Sequence, residues 1–225
     1  MHRILPLLIG VIVTPLPAQR SDTGRAATDA TLDRAIHTYQ AAKTLKATFE
    51  QTLTNPLTGS SSRAHGELIM RKPNQLSVRF LDPDGDRIVA DGAMLWVYLP
   101  SQNAKQVIRV PQGKAGMGGI DVIGQFFDSP RTRFTITDAG ALKIGERATH
   151  ALRMVPKKAT GTFAQAIVWI EDDGGQLRQF EVTDANGLVR RVSLGRVDVN
   201  GKIDPATFQF MMPRGAKLVD QFATP

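Results

Sequence analysis

Apolar residues occupy every second position over residues 75–80, as Leu76, Val78 and Phe80, and polar residues separate them. A period of two is typical of a β-strand with one buried face. Turn residues follow at Asp82–Asp86 and at Asp91-Gly92, because Gly permits a positive φ and Asp bonds its own backbone. Residues 71–100 therefore predict a meander of antiparallel strands at the centre of the fold.

The same alternation recurs on both sides of this meander and predicts a long sheet. Asp173-Gly174-Gly175 and Asn186-Gly187 add hairpin signals in the second half of the chain. The further predicted strands cover residues 45–53, 64–71, 105–110, 134–137, 148–155, 164–171, 177–183, 189–197, 208–210 and 218–219.

Two segments follow a helical period instead. One begins at Thr28 or Asp29 and runs to about Ala42, with a predicted apolar face of Leu32, Ala35, Ile36 and Tyr39. The other covers Ile120–Phe127, where Ile120, Ile123 and Phe127 share a face that Val122 and Phe126 widen. A short helical turn is expected at residues 204–207.

A sheet of this many strands must curl or close, and its concave apolar face needs a cover. The two helices are the candidates for that cover. The segment Ile120–Phe127 is either ordinary core or a lid over an apolar cavity, with the Gly-rich residues 113–119 as its hinge.

The N-terminus predicts export. Residues 1–18 combine Arg3, an apolar run from Ile4 to Val13 and a small-residue cleavage site, the pattern of a signal peptide. Residues 19–28 are expected to form a flexible lead-in, and residues 29–225 a single domain.

The amino-acid composition mainly excludes classes of function. The net charge of +7 comes from scattered basic residues, which favours solubility over nucleic-acid binding. The chain contains no cysteine, so thiolate metal sites and cysteine nucleophiles are excluded. Asp82, Asp84 and Asp86 match only the start of a calcium loop, and the pattern then fails. We expect no metal, no cofactor and no catalytic residue.

Motifs in the same order and spacing resemble the periplasmic outer-membrane lipoprotein carrier proteins, the LolA family. The resemblance covers about residues 31–220 and rests on four pieces of sequence. These are Phe49-Glu50-Gln51, the basic-Pro strand end Arg71-Lys72-Pro73, the stretch DGAMLWVYLP from Asp91 to Pro100, and Phe208, Phe210, Pro213 and Gly215 near the end.

The resemblance implies an unclosed, strongly curled antiparallel β-barrel, mainly β with α, whose concave apolar face is covered by helices. It also implies a periplasmic chaperone that shields the acyl chains of lipoproteins. Its partners would be acylated lipoproteins, an inner-membrane ABC transporter that releases them and an outer-membrane receptor. We expect a monomer without enzymatic activity.

Two sets of site residues follow from the pattern and the resemblance together. The family places an Arg before the proline of the basic-Pro strand, where it bonds lid carbonyls; here that position is Lys72, so the lid latch is assigned to Lys72 or Arg71. The predicted acyl-chain-binding residues are Phe49, Met70, Leu76, Val78, Phe80, Ile88, Met94, Trp96, Ile120, Ile123 and Phe127.

Other functions are compatible with the same sequence. One is a different lipid-binding protein of this fold, such as a glycolipid carrier or a sensor of mislocalised lipoprotein. A sensor would usually bring a second domain, and few residues follow Asp220, which favours the carrier. A secreted hydrolase with an unrecognised site is the third alternative.

Overall fold

The protein is described by a computed structural model that covers residues 20–112, 123–158 and 163–220. Its strands are β1 (Thr44–Asn55), β2 (Ser60–Arg71), β3 (Gln75–Asp82), β4 (Arg87–Asp91), β5 (Met94–Tyr98), β6 (Gln106–Pro111), β7 (Phe134–Ile144), β8 (Arg147–Pro156), β9 (Gln165–Glu171), β10 (Leu177–Thr183), β11 (Val189–Val199) and β12 (Lys217–Asp220). Its helices are α1 (Arg20–Ala41), α2 (Pro100–Asn103), α3 (Gly124–Phe127) and α4 (Pro130–Arg133), with a 3-10 helix at Pro205–Phe208.

All twelve strands belong to one sheet, in the order β12-β6-β5-β4-β3-β2-β1-β11-β10-β9-β8-β7. Neighbours pair antiparallel except β12, which runs parallel to β6. Within the described part of the chain, the edge strands β7 and β12 do not pair with each other, so the sheet curls without closing. The predicted unclosed antiparallel barrel is therefore confirmed.

Helix α1 begins earlier than the sequence pattern predicts. The helix is already formed at Arg20, so the prediction of a flexible lead-in up to Thr28 is wrong for residues 20–28. The Thr28 hydroxyl donates to the Gly24 carbonyl one turn back, at 3.0 Å, which satisfies it inside a helix. Ala26 and Ala27 are strong helix formers and extend the helix upstream. The predicted signal peptide lies outside the described residues.

The core lies on the concave side of the sheet, beneath α1 and α3. Leu32 and Ala35 of α1 are 1% exposed and face the sheet, as predicted. Phe126 of α3 is fully buried, and its ring centroid lies 5.3 Å from that of Phe180 on β10. The described helix is shorter than the predicted Ile120–Phe127, because residues up to 122 lie outside the described part of the chain.

The convex side has its own cover near the end of the chain. The predicted helical turn is confirmed as the 3-10 helix, where the Asp204 carboxylate accepts from the backbone N–H of Ala206. The predicted strand over residues 208–210 is wrong, since this segment crosses the outside of the sheet without pairing. Phe208 is 1% exposed there, with the Arg71 guanidinium 4.8 Å from its ring centroid.

The Asp82–Asp86 turn behaves as a hairpin. Asp86 is buried, and its carboxylate accepts from the backbone N–H of Ser101 at 3.0 Å and from the Ser101 hydroxyl at 2.6 Å. It thereby ties the β3–β4 turn to α2. Across residues 20–112, 123–158 and 163–220, no three His, Asp or Glu side chains are grouped to hold a metal ion.

Candidate functional site

A cavity of about 410 Å³ lies on the concave side of the sheet. Its lining comes from a continuous run of neighbouring strands, from β5 through β1 to β11 and β10, together with Gln125 of α3 and Phe163. A volume of several hundred cubic ångströms is the size range of cavities that bind small organic ligands. Its apolar lining residues are Phe49, Leu53, Leu68, Leu76, Val78, Phe80, Ile88, Leu95, Val97, Phe163, Phe180, Val182, Leu188 and Val192.

Strand register explains why these residues face the same space. Val78 pairs with Ile88, and Ile88 pairs with Val97, so the three form one row across β3, β4 and β5. Directly opposed residues in antiparallel strands project from the same face of a sheet. A row of this kind, repeated along the strands, gives a continuous apolar wall.

Five of the predicted binding residues lie together in this cavity: Phe49, Leu76, Val78, Phe80 and Ile88. Sequence reasoning missed the part of the lining that comes from β10 and β11, although both strands carry the same alternation. Phe180 and Val182 on β10, and Leu188 and Val192 beside or on β11, were readable as strand residues but not as cavity residues.

A glycine lets two aromatic rings of the wall meet. Gly66 on β2 lies between Phe49 on β1 and Phe80 on β3 in the strand register. The Phe49 and Phe80 rings make an edge-on contact across it, with centroids 5.3 Å apart. A Cβ at Gly66 would lie 2.1 Å from the Arg79 carbonyl oxygen, so the position excludes any side chain.

Met94 and Trp96 do not line the cavity, and their assignment to the binding site is wrong. The residues of β5 that face inward are Leu95 and Val97, which pair with Ala90 and Ile88. Trp96 projects from the convex face and stacks on Phe210, with centroids 5.1 Å apart and planes 6° from parallel. The physical reason is that the segment 208–210 gives β5 a second apolar contact, so both of its faces carry apolar side chains.

Asp91 fixes the convex-side position of the tryptophan. One carboxylate oxygen accepts from the N–H groups of Ala93 and Met94, both at 2.8 Å, and the other accepts from the Trp96 indole N–H at 2.8 Å. Burial raises the pKa of Asp91, but these hydrogen bonds outweigh it and leave the pKa below its usual value. Asp91 and Trp96 therefore have a structural role, because their hydrogen bond and those to Ala93 and Met94 hold the turn between β4 and β5 in place.

The remaining predicted binding residues lie under the helices. Met70 is 7% exposed and packs at the end of β2, apart from the cavity wall. Ile123 is buried, and the Phe127 ring lies 6.1 Å from the ring of Tyr39 on α1, centroid to centroid. Ile120 lies outside the described residues. Ile123 and Phe127 thus join α3 to α1, while Gln125 of the same turn faces the cavity.

Lys72 at the end of β2 contacts the last turn of α1. Its ammonium group donates a hydrogen bond to the Tyr39 carbonyl and lies 3.6 Å from the centroid of the Tyr39 ring. Carbonyls in the last turn of a helix carry partial negative charge, and the Tyr39 carbonyl accepts from the Ala42 backbone N–H, at 3.2 Å, as well as from Lys72. Burial lowers the pKa of Lys72 from its usual value. The contact links the strand end, through Tyr39, to Phe127 of α3.

Arg71, the other candidate for the latch, lies on the opposite side of the sheet. Its Nε donates to the Gln75 side chain at 2.6 Å, and its guanidinium rests on the Phe208 ring. Consecutive residues of a strand face opposite ways, so only one of the two adjacent basic residues can reach α1.

A polar group interrupts the apolar lining where β10 turns into β11. Arg190 and Asp184 both line the cavity there, with Gln51 on the neighbouring β1. Nothing in the sequence pattern marks this feature beyond two adjacent arginines in a strand.

A curled, open antiparallel sheet around an apolar cavity, with helices across its concave face, defines an open-barrel binding protein. The sequence model of the family described as outer membrane lipoprotein carrier protein LolA matches residues 40–119 and 127–211. The chain therefore belongs to the LolA family. Carriers of this family are periplasmic proteins that bind cargo rather than catalyse a reaction.

Individual relatives agree with the family. The outer-membrane lipoprotein carrier protein of Chromobacterium violaceum is 30% identical over 178 residues, which cover 79% of this chain and 81% of the relative. That of Alkalilimnicola ehrlichii is 27% identical over 218 residues, covering 96% of this chain and 92% of the relative. Among solved structures, an uncharacterized conserved protein from Thermus thermophilus shares the fold at a TM-score of 0.55 and 15% identity, over 87% of this chain and 99% of that one.

None of the helices in the described ranges has the length and apolar character that crossing a membrane requires.

Proposed function

We propose that this protein binds the acyl chains of lipoproteins in its concave cavity and carries them from the inner membrane to an outer-membrane receptor. The cavity is the observation that carries the proposal: it has a volume of about 410 Å³ and is lined mainly by apolar side chains of strands on both sides of β1. An inner-membrane ABC transporter would supply the cargo.

The need for such a carrier follows from the energetics of lipid transfer. Burial of hydrocarbon contributes about 0.8 kcal/mol per CH₂ group, so an anchor of several acyl chains does not cross water unaided. A carrier must offer a comparable apolar surface and then release its cargo. An open barrel can do so, because β7 and β12 are not paired with each other in the described chain and the curl of the sheet can widen without breaking strand pairs.

We propose that the chains contact the cavity residues Phe49, Leu76, Val78, Phe80 and Ile88. Helix α3 would serve as the lid, since it is a single turn with few backbone hydrogen bonds of its own. The predicted hinge at residues 113–119 lies outside the described part of the chain.

Binding of a fluorescent fatty-acid probe tests the cavity. Phe80 lines it, whereas the next residue, Leu81, is 46% exposed and projects from the other face. We expect Phe80→Glu to weaken probe binding at least ten-fold, because a carboxylate would then face the hydrocarbon chain. Leu81→Glu, which introduces the same charge one residue away, should bind as the unaltered protein does.

Equal binding by both variants, each verified as folded by circular dichroism, would exclude the cavity as the acyl site. Transfer of a lipoprotein from inner-membrane vesicles to the purified receptor then separates a lipoprotein carrier from other lipid carriers of this fold. Probe binding without any such transfer would favour a different lipid as the cargo.

A further inference from the structure

An arginine projects into the apolar wall at the end of the cavity where β10 turns into β11. Arg190 pairs across the sheet with Leu53 on β1 and with Val182 on β10. Both of these neighbours line the cavity, and opposed residues project from the same face. Arg190 therefore stands in a row of side chains that is otherwise apolar.

The adjacent residue, Arg191, has an ordinary salt-bridge partner. Arg191 projects from the convex face, where its Nε and a terminal nitrogen donate to one carboxylate oxygen of Glu181 at 2.8 and 2.6 Å. Arg190 has no such contact within the described ranges of the chain. Asp184 is the acid whose charge acts on it, and the Oδ1 of Asp184 already accepts from the N–H groups of Asn186 and Leu188, at 2.8 and 2.9 Å.

The electrostatics leave this guanidinium only partly compensated. Arg190 is exposed at the mouth of the cavity, although the protein around it still lowers its pKa through burial, which Asp184 offsets only in part. An arginine stays charged at any physiological pH. The N–H donors of Arg190 are therefore open to a ligand from solvent, and a ligand that supplies acceptor oxygens can bind them while its apolar part contacts the neighbouring Leu53 and Val182.

We propose that Arg190 binds the anionic head of an amphiphile whose hydrocarbon chain lies in the cavity. The planar guanidinium matches the two oxygens of a carboxylate or phosphate, and Gln51 on the same wall adds an amide donor. The inference rests on the proposed function, because it needs the chain of the lipid in the cavity. It extends the ligands of this site from lipoprotein anchors to free acidic lipids.

Displacement of a neutral fluorescent probe from the full protein tests the proposal with three ligands of one chain length. Oleate carries a carboxylate, oleoyl lysophosphatidic acid a phosphate, and methyl oleate no charge. We expect one or both acidic ligands to displace the probe at about ten-fold lower concentration than the ester, the effect of one charged hydrogen bond. Which acid is preferred identifies the head group.

Variants then assign the preference to one side chain. Arg190→Met should bind methyl oleate as before and lose the preference for the acids, and Arg190→Lys should retain part of it. Arg63→Met is the matched control, since Arg63 is exposed and pairs with Thr52 on the convex face. It removes the same charge from the chain and should leave the preference intact.

Three results would overturn the proposal: equal displacement by acids and ester, a preference that survives in Arg190→Met, or an equal loss in Arg63→Met, which would indicate general attraction to a basic protein. The first comparison needs no variant, so it stands even if Arg190→Met fails to fold. Failure of methyl oleate to bind at all would instead refute the acyl cavity, and with it the carrier proposal itself.

Discussion

Replacing Lys72 by Leu tests whether the strand end of β2 controls release of cargo. A carrier must favour its closed, empty state by a contact that the loaded state lacks. Lys72 makes a contact of this kind, to the carbonyl and ring of Tyr39 in the last turn of α1. The Tyr39 ring packs on Phe127 of α3, so loss of the lysine would loosen both helices. We expect loading to persist and transfer to the receptor to slow.

The magnitude follows from the contacts and their cost. A hydrogen bond to a charged group contributes roughly 1.5–3 kcal/mol, and a partly exposed cation over an aromatic ring about 0.5–1 kcal/mol. Burial lowers the pKa of Lys72, which shows that desolvation offsets part of this gain. A net contribution of about 1.4 kcal/mol after this offset corresponds to a ten-fold shift between closed and open states.

The lowered pKa of Lys72 also predicts how the stability of the protein changes with pH. Because its folded pKa lies below the unfolded value of 10.5, the unfolded chain binds more protons between the two values. Stability should therefore rise with pH across that window. Chemical denaturation of the unaltered protein should show this alkaline rise, and Lys72→Leu should lack it.

The assay is transfer of a labelled lipoprotein from the loaded carrier to the purified receptor. Lys72→Leu should transfer about ten-fold more slowly and accumulate in the loaded form. Lys72→Arg should transfer normally, since a guanidinium can reach the same carbonyl. Arg71→Leu is the control, because Arg71 bonds Gln75 on the other side of the sheet. Unchanged transfer by Lys72→Leu, or equal slowing by Arg71→Leu, would refute this latch.

Gly66→Ala should destabilise the fold by several kcal/mol in thermal unfolding, because its Cβ would meet the Arg79 carbonyl oxygen at 2.1 Å; an unchanged melting temperature would contradict the strand register. Val97→Glu should weaken fatty-acid probe binding and Met94→Glu should not, since only Val97 faces the cavity; the reverse result would invert the faces of β5. The lowered pKa of Asp91 adds stability above the unfolded value of 3.8 that is lost as pH falls through its folded pKa. Acid denaturation of Asp91→Asn should lack that loss. Amide hydrogen exchange should be faster in α3 than in β3, because α3 is one turn; equal protection would make α3 ordinary core.

Local periodicity was enough to predict most of the sheet. Successive side chains of a strand alternate between faces, so the grouping of Leu76, Val78 and Phe80 follows from spacing alone, and all three line the cavity. Turn residues such as Asp91-Gly92 likewise act over a few neighbouring residues. The family was readable because its motifs keep their order and spacing along the chain.

The ends of helices were harder to predict from the sequence. Helix α1 continues upstream of Thr28 to Arg20 through small residues, which tolerate a helix as well as a coil. Propensity at such positions differs by a fraction of a kcal/mol per residue, which is too little to fix a boundary without the contacts of the folded chain.

The tertiary structure alone decided which face of each ambiguous strand is inside. Both faces of β5 are apolar, and Trp96 turns outward because Phe210, distant in sequence, covers the convex side. Lys72 reaches α1 and Arg71 does not, and Arg190 enters the cavity while Arg191 stays outside. Alternation fixes only that adjacent residues face opposite ways; the long-range pairing of strands sets which of the two faces the core.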